Sequence, residues 1–244
     1  MTDLQIHPIA DRTDYYSDER LFAEAAEMAD ALDGAHPSEV LRWAGARFGD
    51  RFCLTSSMAD AVLITLAADA IPGVDVIFLD TGYHFAETLA TRDRVAAELP
   101  VNVVTVKPLL TVGQQNRTYG QSLYARDPDR CCAMRKVEPL NRALAGYDAW
   151  ASGLRRDESP TRAGTAVVDV DTKRGMLKVN PLATWTQDDV DAYIAARGVI
   201  VNPLGERGFA SIGCAPCTRP VRAGEQARAG RWSGTEKLEC GLHL

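Results

Sequence analysis

The sequence predicts an α/β fold, a mostly parallel sheet with helices on both faces, followed by a flexible C-terminal arm. Three observations carry that expectation. Short apolar runs alternate with segments of helical spacing between residues 51 and 152, the rhythm of strand–helix–strand units that bury both faces of a sheet. At 244 residues and 46% hydrophobic content the chain can bury one full core. From Asn202 onward it is rich in Gly, Pro and Arg with little periodicity.

Each element follows from its residues. Ser17 is placed to cap a first helix, because Leu21, Ala25, Met28 and Leu32 recur at helical spacing and Gly34 follows as a stop. A second short helix runs from Ser38 to Phe48, ended by Gly49. Arg51 to Thr55 then reads as a strand, Ala59 to Ala70 as a helix, and Val74 to Leu79 as an apolar strand. The pattern repeats: helix Phe85 to Leu99, strand Val101 to Val106, helix Asp129 to Leu144, strand Ala149 to Ser152. Past Gly153 the regularity weakens, and Ala166 to Val170 with Met176 to Val179 reads as a hairpin. Thr186 and Asp189 resemble a capping box that opens a helix ending at Gly198. This divides the chain into N-terminal helices (1–49), an α/β core (50–218) and an arm (219–244).

A net charge of −6 makes the surface as a whole a poor match for nucleic acid. An anion site must therefore be a local concentration of cations, and the tail offers Arg219, Arg222, Arg228, Arg231 and Lys237. No stretch approaches the run of about 18 apolar residues that a membrane span needs. The N-terminus also lacks a basic flank and apolar core, so a cytoplasmic protein is expected.

The cysteines stand out next. Adjacent Cys131 and Cys132 answer a Cys214-Ala215-Pro216-Cys217 pair far down the chain. Four thiols in two local pairs suit an iron–sulfur cluster, a zinc ion or redox pairs, and spacing alone leaves all three open. Both thiols of the first pair fall at the start of a helix opened by Asp127-Pro128-Asp129, where the helix dipole favours thiolate. Lys136 lies four residues beyond Cys132 on the same helix face. Cys53, inside a strand, reads as a small buried hydrophobe. Cys240 stands in a polar tail among basic residues with His243 nearby, a setting suited to a nucleophile as well as to an incidental cysteine.

In open α/β sheets, ligands bind beyond the carboxyl ends of the strands. Three strand-end turns here are polar. Thr55-Ser56-Ser57-Met58-Ala59-Asp60 could hold a phosphate at a helix start or simply cap the helix, and Asp80-Thr81-Gly82-Tyr83-His84 could bond a nucleotide or be an ordinary turn. Gly153 to Arg162 carries three arginines, a phosphate grip or a solvated charge run.

Taken together, Cys131-Cys132-Ala133-Met134-Arg135-Lys136, Cys214-Ala215-Pro216-Cys217, Leu79-Asp80-Thr81-Gly82-Tyr83 and the terminal Glu239-Cys240-Gly241-Leu242-His243 resemble the thioredoxin-dependent adenosine 5′-phosphosulfate reductases of bacterial sulfate assimilation, members of the sulfonucleotide reductase family. The resemblance covers most of the chain after about residue 40. It implies an adenine-nucleotide α-hydrolase-like (Rossmann-like) fold and a [4Fe-4S] cluster on Cys131, Cys132, Cys214 and Cys217, structural and electrostatic rather than electron-carrying. It further implies that Cys240 attacks the sulfur of adenosine 5′-phosphosulfate and carries an S-sulfo group until thioredoxin releases sulfite. Lys136, Arg162, Arg228 and Arg231 would hold the phosphosulfate, the turns at Ser56, Leu79 and Gly153 the nucleotide, and His243 would support the thiol. With no redoxin domain and no second cysteine beside Cys240, the electrons are expected from an external dithiol. One departure concerns the phosphate loop: the wider fold family often has Ser-Gly-Gly-x-Asp-Ser, where this chain has Ser56-Ser57-Met58-Ala59-Asp60. Reduction of the 3′-phosphorylated nucleotide is the nearest alternative, and a zinc-stabilised nucleotide-binding module is the alternative from another class.

Overall fold

The structure is a computed structural model that describes residues 18–235, 237 and 239–242. Ser17, the expected first cap, lies outside the described residues. Helix α1 (Asp18–Leu32) buries Leu21 and Ala25. Helix α2 (Pro37–Phe48) opens with Pro37 in its first turn, where no N–H is missed, and ends at Gly49. Strand β1 (Phe52–Thr55), helix α3 (Val62–Ala70), strand β2 (Asp75–Leu79), helix α4 (Ala86–Glu98) and strand β3 (Asn102–Val106) follow.

Helix α3 begins three residues later than the apolar spacing suggests. Asp60 explains the delay: its Oδ1 accepts the Val62 N–H at 2.9 Å, its backbone bridges to Val201, and Ala61 N–H donates to the Ile200 carbonyl. Residues 56–61 are thus a loop laid against residues 200–202.

Between β3 and the next strand the chain holds more structure than the hydrophobic pattern suggests. Helices α5 (Val112–Tyr119) and α6 (Leu123–Arg126) are short and bury only Gln115 and Leu123, so periodicity misses them. The Thr111–Gln114 capping box that opens α5 is legible only in hindsight. The single helix expected from Asp129 to Leu144 is three pieces: α7 (Pro128–Cys132), a π turn over Ala133–Val137, and α8 (Glu138–Leu144). Pro139 has no N–H for the Arg135 carbonyl and its ring would crowd that carbonyl; the wider π turn accommodates both.

Strand β4 (Ala149–Ala151) is followed by the expected hairpin, β5 (Val168–Asp171) antiparallel to β6 (Met176–Val179). Helix α9 (Gln187–Arg197) has the Thr186–Asp189 capping box and a left-handed Gly198 stop. The sheet order is β3-β2-β1-β4-β6-β5, parallel except for the edge strand β5.

Alternation along the central strands divides the core. Phe52, Leu54, Val76, Phe78, Ala149 and Ala151 face one side with α2 and α3, while Cys53, Ile77 and Trp150 face the other with Leu140 and Leu144 of α8. Helices therefore cover both faces. Cys53 is fully buried, and that burial pushes its thiol well above the usual range, as a small hydrophobe. Strand order reverses between β1 and β4, so a crevice opens beyond their carboxyl ends.

Candidate active site

Parallel register puts three turns on one rim. Thr55 lies beside Ile77 and Leu54 beside Ala151, so the residues after Thr55, Leu79 and Ala151 emerge together. In the first turn Ser56 Oγ accepts the Met58 N–H at 3.1 Å, and Met58 takes a φ of +58°. In the second, Asp80 Oδ1 accepts the Gly82 N–H at 3.0 Å and His84 Nε2 donates to the Leu79 carbonyl at 2.8 Å. Burial holds the His84 pKa below its ordinary value, so this ring is neutral. Gly82 is required twice over, by its φ of +72° and by the Arg135 guanidinium 3.1 Å from where a Cβ would stand.

Arg135 fastens the cysteine-bearing helix to that turn. Buried to 3% exposure, it donates to the Thr81 carbonyl at 2.5 Å and to Gln115 Oε1 at 2.8 Å. Thr81 in turn places its hydroxyl 3.3 Å from Cys214 Sγ, and Ala215 N–H donates to the Tyr83 carbonyl at 2.7 Å. One polar turn thereby receives both cysteine segments.

Behind the second pair the chain forms a short ribbon. Arg219 N–H donates to the Gly230 carbonyl and Trp232 N–H to the Cys217 carbonyl, each at 2.9 Å. The ribbon returns Arg228 and Arg231 to the rim. Arg231 donates to the Ile212 carbonyl at 3.2 Å and lies 4.5 Å over Trp232. Its path needs Gly213, where a Cβ would come within 2.2 Å of the guanidinium.

A cavity of about 820 Å³ occupies the space so enclosed. Ser56, Leu79, Lys136, Gly153, Arg162, Arg228, Arg231 and Cys240 all line it, as does Cys214. Arg156 does not: it turns away to Asp33 and the Thr165 carbonyl. Arg219 and the backbone of Arg222 engage Glu225, and Lys237 pairs with Asp129 and lies over Trp232. The basic content of the loop and tail is thus divided, part of it neutralised on the surface. His243 lies outside the described residues.

Cys131, Cys132 and Cys214 are buried and Cys217 is partly exposed. Burial pushes the Cys132 thiol up to about 11, against the pull of Lys136 and Lys237, and pushes Cys217 up to about 11 with Cys214 adding to it. The expected helix-start preference for thiolate is outweighed by desolvation in the free chain. Among the described residues no three His, Cys, Asp or Glu side chains form a ready-made shell for a single metal ion. The four thiols do lie near enough to perturb one another. As a set of soft donors without a carboxylate they suit a cluster, which spaces its thiolates more widely than one ion does. For Lys136, burial works to lower the ammonium pKa, and the nearby Cys214 and Cys240 more than offset it, so the lysine stays protonated.

Residues 51–220 match the model of the phosphoadenosine phosphosulfate reductase domain. The chain belongs to that family. An adenosine 5′-phosphosulfate reductase of Streptomyces coelicolor is 59% identical over 225 residues, 92% of this chain and 95% of that protein. One of Mycolicibacterium smegmatis is 52% identical, covering 90% of this chain and 92% of that protein. Among solved structures, the phosphoadenylyl-sulfate reductase of Candida auris, in a phosphate complex, aligns with a TM-score of 0.69 at 30% identity over 81% of this chain and 97% of that one. An FMN adenylyltransferase of Candida glabrata, at 12% identity and a TM-score of 0.56 over 87% of this chain and 68% of that one, shares the fold alone.

For this phosphosulfate reductase family member, sequence reasoning missed Glu239 and Glu158. Arg162 donates to Glu239 through Nε and Nη2, both at 3.0 Å, and pairs with Glu158 through Nη1. Arg228 Nη2 donates to Glu239 Oε2 at 2.9 Å. The only sequence signal for Glu239 is that it adjoins Cys240.

Proposed function

We propose that this protein reduces adenosine 5′-phosphosulfate to sulfite and AMP in sulfate assimilation, with a dithiol reductant of the thioredoxin type, in the cytoplasm. The observation that carries the reading is Cys240 at the edge of a nucleotide-sized cavity that also holds Lys136, Arg162, Arg228 and Arg231. The relatives from Streptomyces coelicolor and Mycolicibacterium smegmatis, both adenosine 5′-phosphosulfate reductases, support the same substrate. Among the described residues no helix is long and apolar enough to cross a membrane.

In this reading the Ser56, Leu79 and Gly153 turns seat the nucleoside, and the cations gather around the phosphosulfate. Cys240 thiolate attacks the sulfur, a sulfur–sulfur bond forms, and the bond from sulfur to the bridging oxygen breaks with its electron pair leaving on AMP. Lys136 and the three arginines stabilise that departing charge as it develops. A thiolate of the reductant then attacks Cys240 Sγ and sulfite leaves. The reductant's second thiol closes its disulfide and restores Cys240, so sulfur gains the two electrons the dithiol loses. His243 would support the Cys240 thiol.

Cys131, Cys132, Cys214 and Cys217 would hold a [4Fe-4S] cluster, which when bound supplies a fixed negative charge beside Lys136. Iron and acid-labile sulfide in a brown preparation are expected, and a colourless zinc protein would remove that assignment. The Candida auris relative favours the 3′-phosphorylated nucleotide as a second reading. Against it, Asp60, Asp157 and Asp191 line the same cavity and would oppose a further phosphate. Sulfite release from the two nucleotides with reduced thioredoxin tests the choice: faster turnover of the unphosphorylated one is expected, and equal or faster turnover of the other would overturn it.

A further inference from the structure

Two of the arginines that face the cavity, Arg162 and Arg228, are already occupied. Both Glu239 oxygens are taken by the Arg162 fork, Oε2 also receives Arg228, and the third face of Arg162 meets Glu158. The side chains of Arg162, Glu239 and Arg228 are 12%, 13% and 17% exposed, so these pairs are little screened by water. A bidentate guanidinium–carboxylate pair has the geometry with which arginine grips phosphate or sulfate. Glu239 thus stands where an anionic ligand's oxygens would.

Its position in the chain gives the contact a consequence. Glu239 directly precedes Cys240, and Gly241 follows at a φ of +80°, a conformation that lets the backbone swing at little cost. Beyond it, Leu242 packs with the cluster containing Ile77, Leu140 and Trp150, and its carbonyl lies 3.5 Å from an Arg174 nitrogen. The nucleophile is therefore slung between two anchors, one apolar and one ionic. Only the ionic anchor competes with an anion.

We propose that Glu239 is a positioning residue that occupies the phosphosulfate site of the empty enzyme: its carboxylate holds Arg162 and Arg228, seats Cys240 over the cavity, and must be displaced before those guanidiniums can grip the substrate. The inference rests on the functional reading above, in which Arg162 and Arg228 bind the phosphosulfate. Substrate binding and thiol position are then linked, because the ligand that takes the arginines also releases the residue beside Cys240.

Equilibrium binding of adenosine 5′-phosphosulfate to the holoenzyme separates the possibilities, with Cys240→Ser in every full-length chain to prevent turnover. Adding Glu239→Gln is expected to tighten binding by about 5- to 10-fold, a coupling of ordinary size. Glu239→Asp, which keeps the charge, should stay near the parent. A chain ending at residue 238 should tighten as the glutamine does, which guards against a local effect of the amide. With Cys240 intact, Glu239→Gln should lower KM and also kcat, since the thiol loses its seat; loss of a merely structural contact would raise KM. Unchanged or weaker binding in Glu239→Gln and in the shortened chain would overturn the proposal. No binding of the nucleotide to Cys240→Ser alone would remove the functional reading, and this inference with it.

Discussion

The two halves of the site are held by different forces. The strand-end rim is fixed by parallel backbone ladders and by side chains such as Leu54, Phe78 and Trp150 that have no exposure at all. Among the described residues, the C-terminal half, from Cys214 to Leu242, contributes no strand to the sheet and reaches the rim through a short ribbon, a few carbonyl contacts and ion pairs. Apolar burial cannot be exchanged for a ligand, whereas a carboxylate on an arginine can. The rim is suited to holding a nucleotide in one place, and the tail to moving a thiol toward it and away.

That contrast is sharpest at Cys240, the proposed nucleophile. Cys240→Ser is expected to abolish turnover by at least about 10³-fold, with AMP affinity by calorimetry unchanged, because the rim is untouched. Mass spectrometry should find no S-sulfo adduct; an adduct in the variant would assign the nucleophile to another residue. The opposite split is expected for Trp150→Ala. It opens a cavity under the central strands and breaks the indole bond to Asp171 at 3.1 Å, so urea denaturation should show a loss of about 3–5 kcal/mol. A small loss there would mean that the rim is not the rigid half.

Arg228→Ala belongs to the tail and should behave accordingly. If Arg228 is one of the guanidiniums that stabilise the departing phosphate, as proposed, its removal is expected to lower kcat/KM by about 10²-fold. The thermal midpoint should hardly move. A large fall in the midpoint with unchanged kcat/KM would place Arg228 in the framework instead.

Much of the rim was legible in the sequence because its signals are local. A strand announces itself by apolar residues, and the turns after Thr55, Leu79 and Ser152 follow from where those runs stop. The boundary errors have local causes too, such as Asp60 taking the Val62 N–H and delaying α3. Helices α5 and α6 were illegible because they expose polar residues and bury little, and the π turn before Pro139 because hydrophobic spacing does not register a widened turn. In the site, the cysteines and Arg162, Arg228 and Arg231 stood out by residue type. Glu239 did not: a carboxylate in a basic tail reads as charge balance until the fold sets Arg162, 77 positions earlier, against it. The same holds for Arg156, which matched Arg162 in sequence but faces Asp33 across the outer surface.

The rigid half contains one charge that tests how far burial dominates there. Lys178 of β6 is 9% exposed and lies 5.3 Å over the Trp150 ring. Burial lowers its pKa to about 8 although Asp171 and Asp169 pull the other way. In the unfolded chain the same group titrates near an ordinary lysine value of about 10.4. Below pH 8 both states carry the proton and the cost of burying the charge is fully present. Between about pH 8 and pH 10.4 the unfolded state holds more protons than the folded one, so stability rises with pH through that window. Lys178→Met keeps the length of the side chain and removes the charge. It is expected to stabilise the protein by about 3 kcal/mol at pH 7, with the advantage shrinking toward zero above about pH 10. Urea midpoints for the two proteins at a series of pH values give the comparison directly. Parallel curves would mean that Lys178 stays charged beside Asp171 and Asp169, and that ion pairing rather than burial governs this part of the sheet as well.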